Sequence, residues 1–419
     1  MRWAWGAMML GGCIMSAVPA SRPAQADAAP YVWMQYAADG VEARAITTQK
    51  TCPAAEIDGV DSAMQVRAGA EDKFATTTCA LAIPKATRLV KIGGIALKLP
   101  VASPQRIAIV GDTGCRLKGI YLQACNDPQK WPFRQVAASI VAQHPDLIIH
   151  VGDYHYRETA CPAGDAGCAG SPFGDNWDAW RDDFFDPAAQ VLPIAPWVMV
   201  RGNHEECARG GRGWSRALEA SPYDDFTGCN ASSPPFVVKL PLMSLAIIDT
   251  AMVPEPTVDE KQASVVHAQY AALQTTTTGP VWVLQHRPIW STGGVVAGLP
   301  FGDNKTLALA ARDTLSARVD YILSGHHHVF QVLNYADDLP TQIVVGHGGD
   351  FLNKGRSADP AGWVINGVTV KAGLHQTGKF GFAMMQHTDA GWTLTNFDQA
   401  GTALQHCDLK GRSAVCATE

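Results

Sequence analysis

Six apolar segments of the sequence are each followed at once by side chains that could bind a metal ion. In most of them a glycine marks the junction, as in Gly111-Asp112 and Gly152-Asp153. The side chains concerned are, in chain order, Asp112, Asp153, His155, Tyr156, Asn203, His204, His286, His326, His327, His328 and His347. Oxygen and imidazole donors of this kind suit iron, zinc or manganese. The pattern therefore predicts a metal centre.

The junction at Gly152 is central to this prediction. Residues 147–151 form an apolar run typical of a buried strand, and Gly152 allows the tight turn that ends it. Asp153 then lies at the carboxyl end of a strand, where open α/β sheets place their ligands. A Gly-Asp pair alone more often marks a simple turn. Because the other strand ends carry similar residues, we interpret Asp153 as a carboxylate shared by two metal ions.

The three consecutive histidines, residues 326–328, are the strongest single signal. Three imidazoles in a row after a buried strand have little use in packing. In an extended segment His326 and His328 project from one face and His327 from the other. A lone His286 or Asn203 would more often be structural. Each of them supports a metal site only in combination with the residues at the other strand ends.

From residue 106 onward, apolar strands alternate with helical patterns, which is typical of an α/β domain. The predicted strands are residues 107–110, 147–151, 196–200, 245–248, 281–284, 321–323 and 343–345. Helical spacing of apolar residues covers 133–141, and further helices are expected near 177–190, 258–274 and 304–317. Residues 380–387 and 392–397 are expected to form a closing antiparallel pair.

The residues before this alternating part have a different pattern. They contain short strand-like runs at 31–36, 42–47 and 95–99, without a strong helical period. We therefore expect a small N-terminal β domain at residues 27–104 and a catalytic domain at residues 105–419.

Taken together, the blocks between Asp112 and Gly349 resemble those of the calcineurin-like metallophosphoesterases, and more closely the purple acid phosphatase branch. The resemblance covers about residues 106–350. It implies a four-layer αββα sandwich, a two-metal centre and hydrolysis of phosphomonoesters. It also implies the metal ligands. The first metal would be held by Asp112, Asp153, Tyr156 and His328, and the second by Asp153, Asn203, His286 and His326.

The resemblance further implies a reaction. Two metal ions bind the oxygens of the phosphate ester and lower the pKa of a water, and the resulting hydroxide attacks phosphorus. His204 would contact the substrate and protonate the leaving group, a task that suits an imidazole near neutral pH. Asn203 and His155 are further candidates for substrate contact, while His347 receives no role.

One position departs from the wider superfamily, in which a histidine usually stands two residues after the first aspartate. That position is Gly114 here. The purple branch instead has a tyrosine three residues after the bridging aspartate, which corresponds to Tyr156. A phenol has a pKa near 10 and binds as phenolate only to a strongly acidic cation. We therefore expect iron in the first site and zinc, iron or manganese in the second.

Two other functions are compatible with the same residues. The first is a phosphodiesterase or nucleotide hydrolase, since loops such as 158–175 and 206–235 would set the size of the substrate. The second is a catalytically silent surface or binding protein, against which the complete ligand set argues. The expected partner is a small phosphate ester. The net charge of −6 argues against nucleic acid, and the oligomeric state is not predicted.

The N-terminus resembles a secretory signal peptide over residues 1–26. Met1-Arg2 precedes an apolar run, and Ala24-Gln25-Ala26 offers a cleavage site. The protein is thus expected to be periplasmic or secreted, without a transmembrane segment in the mature chain. The stretch Leu10-Gly11-Gly12-Cys13 also resembles a bacterial lipobox, which leaves a lipid anchor at Cys13 as an alternative.

The cysteines agree with export. Of the eleven cysteines, Cys13 lies in the signal-like segment, which leaves an even number. Pairing by proximity predicts Cys52–Cys79, Cys115–Cys125, Cys161–Cys168, Cys207–Cys229 and Cys407–Cys416. Such a set is typical of an oxidising compartment.

Overall fold

The computed structural model describes Met1 and residues 29–223, 232–255, 257–277, 279–296, 299–315, 317–355 and 357–418. Residues 2–26 of the predicted signal peptide, including Cys13, and the predicted disulfide partner Cys229 lie outside these residues. Within the described part of the chain, no helix has both the length and the apolar character of a membrane span.

Strands make up most of the regular structure. The first eight are β1 (Tyr31–Ala37), β2 (Gly40–Thr47), β3 (Ala55–Ile57), β4 (Val60–Ser62), β5 (Gln65–Ala68), β6 (Thr77–Ala82), β7 (Val90–Ile92) and β8 (Ile95–Leu97). The next eight are β9 (Arg106–Val110), β10 (Leu117–Lys118), β11 (Tyr121–Leu122), β12 (Leu147–His150), β13 (Pro196–Met199), β14 (Phe236–Lys239), β15 (Ser244–Ile247) and β16 (Val281–Leu284). The rest are β17 (Gly294–Val296), β18 (Leu299–Phe301), β19 (Val319–Ser324), β20 (Phe330–Tyr335), β21 (Thr341–Val345), β22 (Val364–Ile365), β23 (Val368–Gln376), β24 (Gly381–Thr388), β25 (Gly391–Asp398), β26 (Ala403–Lys410) and β27 (Ser413–Thr418).

The helices are short apart from two. They are α1 (Phe133–Ala142), α2 (Trp177–Trp180), α3 (Asp186–Ala188), α4 (Gly211–Ala217), α5 (Glu260–Thr276) and α6 (Lys305–Ala311). A π-helical turn, Arg181–Phe185, joins α2 to α3, and 3-10 turns cover Leu192–Ile194 and Asn203–Glu205. Side chains cap three of the starts: Asn176 accepts from Ala179 N at α2, Asp259 from Gln262 N at α5 and Asn304 from Leu307 N at α6.

Two large sheets dominate the described residues. The larger has the strand order β27-β26-β25-β24-β9-β12-β13-β1-β2-β6-β5, and the smaller has the order β14-β15-β16-β19-β21-β20-β23-β22. The centre of each sheet is parallel: β9, β12, β13 and β1 in one, and β15, β16, β19 and β21 in the other. Their carboxyl ends carry the predicted metal ligands.

The sheets pack face to face and are covered by helices on their outer faces. Alternate residues of one strand point to opposite faces, so Ile107 and Ile109 enter the core between the sheets with Leu284 and Leu323. Ala108 and Val110 instead pack with α1 and the helical segment 177–188, while α5 and α6 cover the other sheet. The result is the expected four-layer αββα sandwich. Burial on both faces explains why these strands are apolar runs without alternation.

The predicted elements after residue 106 are confirmed with small changes in bounds. The segment expected at 177–190 is interrupted by the π-helical turn, and the helix expected at 304–317 ends at Ala311. The closing pair is present as β24 and β25, and β26 and β27 extend it, which the sequence analysis did not predict.

The N-terminal strands continue the larger sheet. β1 pairs in parallel with β13, with Gln35 opposite Trp197, and β2, β6 and β5 follow it outward. The strands β4, β3, β7 and β8 form a small separate sheet that packs on this extension. The domain boundary at residue 104 stays a prediction, but the two parts share one sheet.

Four of the predicted disulfides are present: Cys52–Cys79, Cys115–Cys125, Cys161–Cys168 and Cys407–Cys416. The pairs Cys115–Cys125 and Cys161–Cys168 pack together with Leu117 and Trp131. They fasten the segment after Asp112 and the segment after Tyr156, which are two of the predicted ligand segments.

Candidate metal centre

The predicted ligand segments converge because both parallel sheets end at the same place. The N–H of Asp112 donates to the carbonyl of Gly152 over 3.0 Å, which joins the loops after β9 and β12. In the other sheet, Gly325 N–H donates to the carbonyl of His286 over 3.0 Å. Six loops from distant parts of the chain thus surround one small volume.

One group of side chains surrounds the hydroxyl of Tyr156. Its oxygen lies 2.9 Å from Asp112 Oδ1, 2.8 Å from Asp153 Oδ2 and 3.1 Å from His328 Nε2. His328 Nε2 is also 3.3 Å from Asp112 Oδ1. These are the four side chains that the sequence analysis assigned to the first metal.

A second group surrounds the side-chain oxygen of Asn203. This oxygen lies 3.0 Å from His286 Nε2 and 2.7 Å from His326 Nδ1. His286 Nε2 is 3.1 Å from Asp153 Oδ2. Donor atoms of Asp153, His286 and His326 all lie within 4.8 Å of one another, a spacing that could hold a metal ion. Asp153 therefore belongs to both groups.

The electrostatics of the first group fit a cation. Asp112, Asp153 and Tyr156 are almost completely buried, and their oxygens crowd around one point. Burial raises the pKa of Asp112. Burial and the carboxylates of Asp112 and Asp153 also raise the pKa of Tyr156 well above its ordinary value of 10.0. The pKa of Asp153, by contrast, is lowered, because His286 and His204 outweigh the effect of its burial. Asp112 and Tyr156 therefore need further positive charge nearby to ionise together, which a bound metal ion would supply.

The backbone is strained at three of the predicted ligands. Asp112, Asp153 and His326 have φ angles of 56°, 60° and 70°, in the left-handed region that non-glycine residues avoid. Residues held in this way often cluster at functional sites. All three of these residues belong to the predicted ligand set.

Glu205 holds two of the loops together. Its carboxylate accepts the backbone N–H groups of Gly202, Asp153, Tyr154 and His155 over distances of 2.8–3.1 Å. Glu205 has no exposed surface. The loop that carries Asn203 and the loop that carries Asp153 are thereby fixed relative to each other.

His204 lies beside both groups without belonging to either. Its ring packs on that of Tyr156 with centroids 3.7 Å apart, and its Nε2 is 3.9 Å from Asp153 Oδ2. On the other side its Nδ1 is 2.7 Å from Glu158 Oε1. The Arg209 guanidinium donates to the same carboxylate and also contacts both nitrogens of the imidazole. The ring thus lies between the predicted ligand Asp153 on its Nε2 side and Glu158 on its Nδ1 side, with Arg209 against it.

Comparison with known proteins identifies the family. A family model described as calcineurin-like phosphoesterase matches residues 105–330, which is more than half of the 419 residues. The chain belongs to the calcineurin-like phosphoesterase family. It is therefore a phosphoester hydrolase, as the sequence analysis expected. No protein of curated function matches the chain significantly.

Two solved structures show the same fold as this family member. A purple acid phosphatase from yellow lupin (Lupinus luteus) seeds superposes with a TM-score of 0.57 at 14% identity, over 94% of this chain and 74% of that chain. A structure of PhoD superposes with a TM-score of 0.52 at 11% identity, over 94% of this chain and 91% of that chain. Similarities at these identities establish the fold.

Gly114 shows how this calcineurin-like protein accommodates Tyr156. A Cβ at Gly114 would lie 2.6 Å from the carbonyl oxygen of Tyr154 and 3.0 Å from Tyr156 Cδ2. Any side chain at this position would thus collide with the segment that carries the tyrosine. The space next to the first group is taken by Tyr156, and a histidine at position 114 has no room.

His155 is the predicted site residue that the structure does not bring into the cluster. Its ring is fully buried and stacks on Trp180 with centroids 5.5 Å apart. Its Nδ1 is 3.6 Å from the Asp183 carboxylate, and neither ring nitrogen makes a hydrogen bond. His347 is likewise buried and pairs through Nε2 with Asn396 Oδ1 at 2.9 Å.

Several residues around the centre were missed by the sequence analysis. They are Arg116, Glu158, Asp183, Arg209, Glu255 and Asp350, each of which contacts a predicted site residue or its backbone. Only Glu158 carried a usable signal, because it stands two residues beyond Tyr156. The others are brought in by tertiary contacts between distant segments.

Proposed function

We propose that the protein is a binuclear metal-dependent phosphatase that hydrolyses phosphomonoesters, of the purple acid phosphatase type. The observation that carries this proposal is the arrangement of the donors. Two groups of four side chains share one carboxylate, Asp153, whose Oδ2 lies within 3.1 Å of both Tyr156 and His286. A shared carboxylate between two donor groups is what a pair of neighbouring cations requires.

The donor chemistry of the two groups indicates which metals they would hold. Asp112, Asp153, Tyr156 and His328 would hold the first, and Asp153, Asn203, His286 and His326 the second. A phenol favours a strongly acidic cation, so the first would be iron and the second zinc, iron or manganese. Once bound, such a pair neutralises the charge of a phosphate ester and makes water a stronger acid.

Protonation of the leaving group and positioning of the phosphate would be carried out by side chains of the protein. Nε2 of His204 lies 3.9 Å from Asp153 Oδ2, and Nδ1 lies 2.7 Å from the Glu158 carboxylate. Burial lowers the pKa of His204 to about 3, while Asp153 and the hydrogen bond with Glu158 act in the opposite direction. A protonated His204 can transfer its Nε2 proton to the leaving oxygen of the ester. The side chains of Asn203 and His204 would position the phosphate group. His155 has no part in this scheme, since its ring is enclosed by Trp180 and Asp183.

Export to an oxidising compartment is part of the proposal. Four disulfides lie in the described residues, and reducing compartments rarely keep such bonds. The periplasm or the extracellular space would therefore be the place of action.

The test is metal analysis combined with a substrate comparison on the purified protein. We expect about two metal ions per chain and turnover of p-nitrophenyl phosphate well above that of bis-p-nitrophenyl phosphate and of nucleoside diphosphates. Faster diester or nucleotide turnover would redirect the assignment to a phosphodiesterase or nucleotide hydrolase. Metal-loaded protein that hydrolyses none of these esters would contradict the enzymatic proposal.

A further inference from the structure

We propose that Glu255 is a positioning residue for the second metal, because it selects which nitrogen of His326 faces that metal. This inference rests on the proposed two-metal function. Glu255 Oε2 lies 3.0 Å from His326 Nε2, while His326 Nδ1 lies 2.7 Å from Asn203 Oδ1 inside the second group. One nitrogen of the ring thus faces the second group and the other faces the Glu255 carboxylate.

A neutral imidazole carries one proton and one free lone pair, on different nitrogens. If Nε2–H donates to Glu255, the lone pair of Nδ1 is directed at the second group. A carboxylate partner of this kind fixes the tautomer and the orientation of a ligating histidine and makes it a stronger ligand. Glu255 would therefore act on the metal through His326 without contacting it.

The other two histidines of the centre follow the same rule with different partners. His286 has its Nδ1 2.8 Å from the carbonyl oxygen of Val151, and His328 has its Nδ1 at the carbonyl oxygen of Phe351. In both, the nitrogen outside the ligand group faces an acceptor, and Nε2 faces inward. In His326 the roles of the nitrogens are exchanged, and the acceptor is a side chain. A backbone carbonyl cannot be removed by substitution, so His326 is the histidine of the three at which the rule can be tested.

Arg287 makes a contact that competes with this arrangement. Its Nη1 lies 3.2 Å from His326 Nε2, and a guanidinium can only donate. The same Nη1 is closer to Glu255 Oε2, at 3.0 Å. With a cation at Nδ1, the ring proton must lie on Nε2. The ring then donates a hydrogen bond to Glu255, and Arg287 donates to the Glu255 carboxylate and not to the ring.

Glu255 is itself held in place. Besides Arg287, it receives a hydrogen bond from Asn304 Nδ2 to Oε1 over 2.9 Å, so both oxygens are engaged. Its side chain is only 15% exposed. The carboxylate thus has a fixed position before any metal binds, which is the condition for orienting a ligand.

The experiment compares metal binding by Glu255→Gln, Glu255→Ala and the wild type. Metal-free protein is first loaded with iron in the first site, and the iron-loaded protein is then titrated with Zn²⁺ in a calorimeter. The matched control is Glu260→Gln, the same change at an exposed residue at the start of α5. We expect Zn²⁺ affinity to fall by roughly 10–100-fold in Glu255→Gln. The fall should be larger in Glu255→Ala, which lacks any acceptor, and absent in the control. Iron content and visible absorption should stay at the wild-type level in all three variants.

Three results would overturn the inference. Unchanged Zn²⁺ affinity in both Glu255 variants would show that His326 needs no partner, and the proposed function would stand. Parallel loss of iron and Zn²⁺ with a lower unfolding temperature would show a merely structural role. Wild-type protein that binds fewer than two metals would refute the proposed two-metal centre together with this inference.

Discussion

The two halves of the candidate centre are built from different chemistry although they share Asp153. The first half adds a carboxylate, a phenol and one imidazole, from Asp112, Tyr156 and His328. The second half adds one amide and two imidazoles, from Asn203, His286 and His326. The first can thus supply two further negative charges and the second none. This difference underlies the proposal of a highly charged cation in the first half and a divalent one in the second.

The two halves differ in their ligands but have similar residues around those ligands. Arg116 lies over the Tyr156 ring, 4.7 Å from its centroid, and its Nε donates to Asp350 Oδ2 over 2.9 Å. Arg287 and Glu255 form the corresponding pair beside the second half. Each half thus has an arginine–carboxylate pair next to it. The proposed difference in metal preference would then come from the ligands, and single substitutions can test it.

Asp153→Ala should have the largest effect, because it removes the one ligand that the halves share. We expect activity to be abolished and the content of both metals to fall. Metal analysis and turnover of p-nitrophenyl phosphate measure this, with Asp61→Ala, at an exposed aspartate of β4, as the control. Retention of two metals with near-normal turnover would contradict the bridging role.

His204→Ala should leave both halves intact and slow the reaction. General acid catalysis typically contributes about 10²–10⁴-fold, so turnover of an alkyl phosphate should fall within that range. The loss should shrink for p-nitrophenyl phosphate, whose leaving group needs no proton. His267→Ala, at an exposed position on α5, is the matched control. An equal loss for all leaving groups would point to substrate positioning instead.

The sequence could predict both halves because their ligands follow apolar strands at the same edge. Asp112, Asp153 and His286 each lie directly after a strand, and parallel strands bring their carboxyl ends together whatever the spacing in sequence. Glu255 and Asp350 could not be assigned in this way, since which carboxylate meets which imidazole depends on how the loops pack. The pairing of β1 with β13 was not predicted either, because a parallel pairing between distant strands has no local signature in the sequence.

Tyr156→Phe should weaken metal binding in the first half without affecting the second. It removes the phenolic oxygen from the first half and leaves Asn203, His286 and His326 untouched. A phenolate on ferric iron should give a purple to pink colour, which the variant should lose. Iron affinity should fall by more than the roughly 10–100-fold typical of losing an outer partner of a ligand. Absorption spectra and metal titration measure this, and a colourless, iron-free but fully active wild type would contradict the purple type.

Gly114→Ala should have the smallest effect and tests why the first half contains a tyrosine. The added Cβ would meet the carbonyl oxygen of Tyr154 at 2.6 Å and the backbone nitrogen of Tyr156 at 3.0 Å, so a rotamer change cannot relieve the contact. Overpacking of this kind costs about 1–3 kcal/mol of the free energy of unfolding. Because the displaced segment carries Tyr156, the colour should weaken while the second metal binds as before.

Gly69→Ala is the control, since its Cβ has no neighbour within 4 Å and its φ is not positive. Denaturant unfolding and absorption spectra measure the two effects. If Gly114→Ala matches the control in both, Tyr156 does not exclude a side chain at position 114, and the difference between the halves needs another cause.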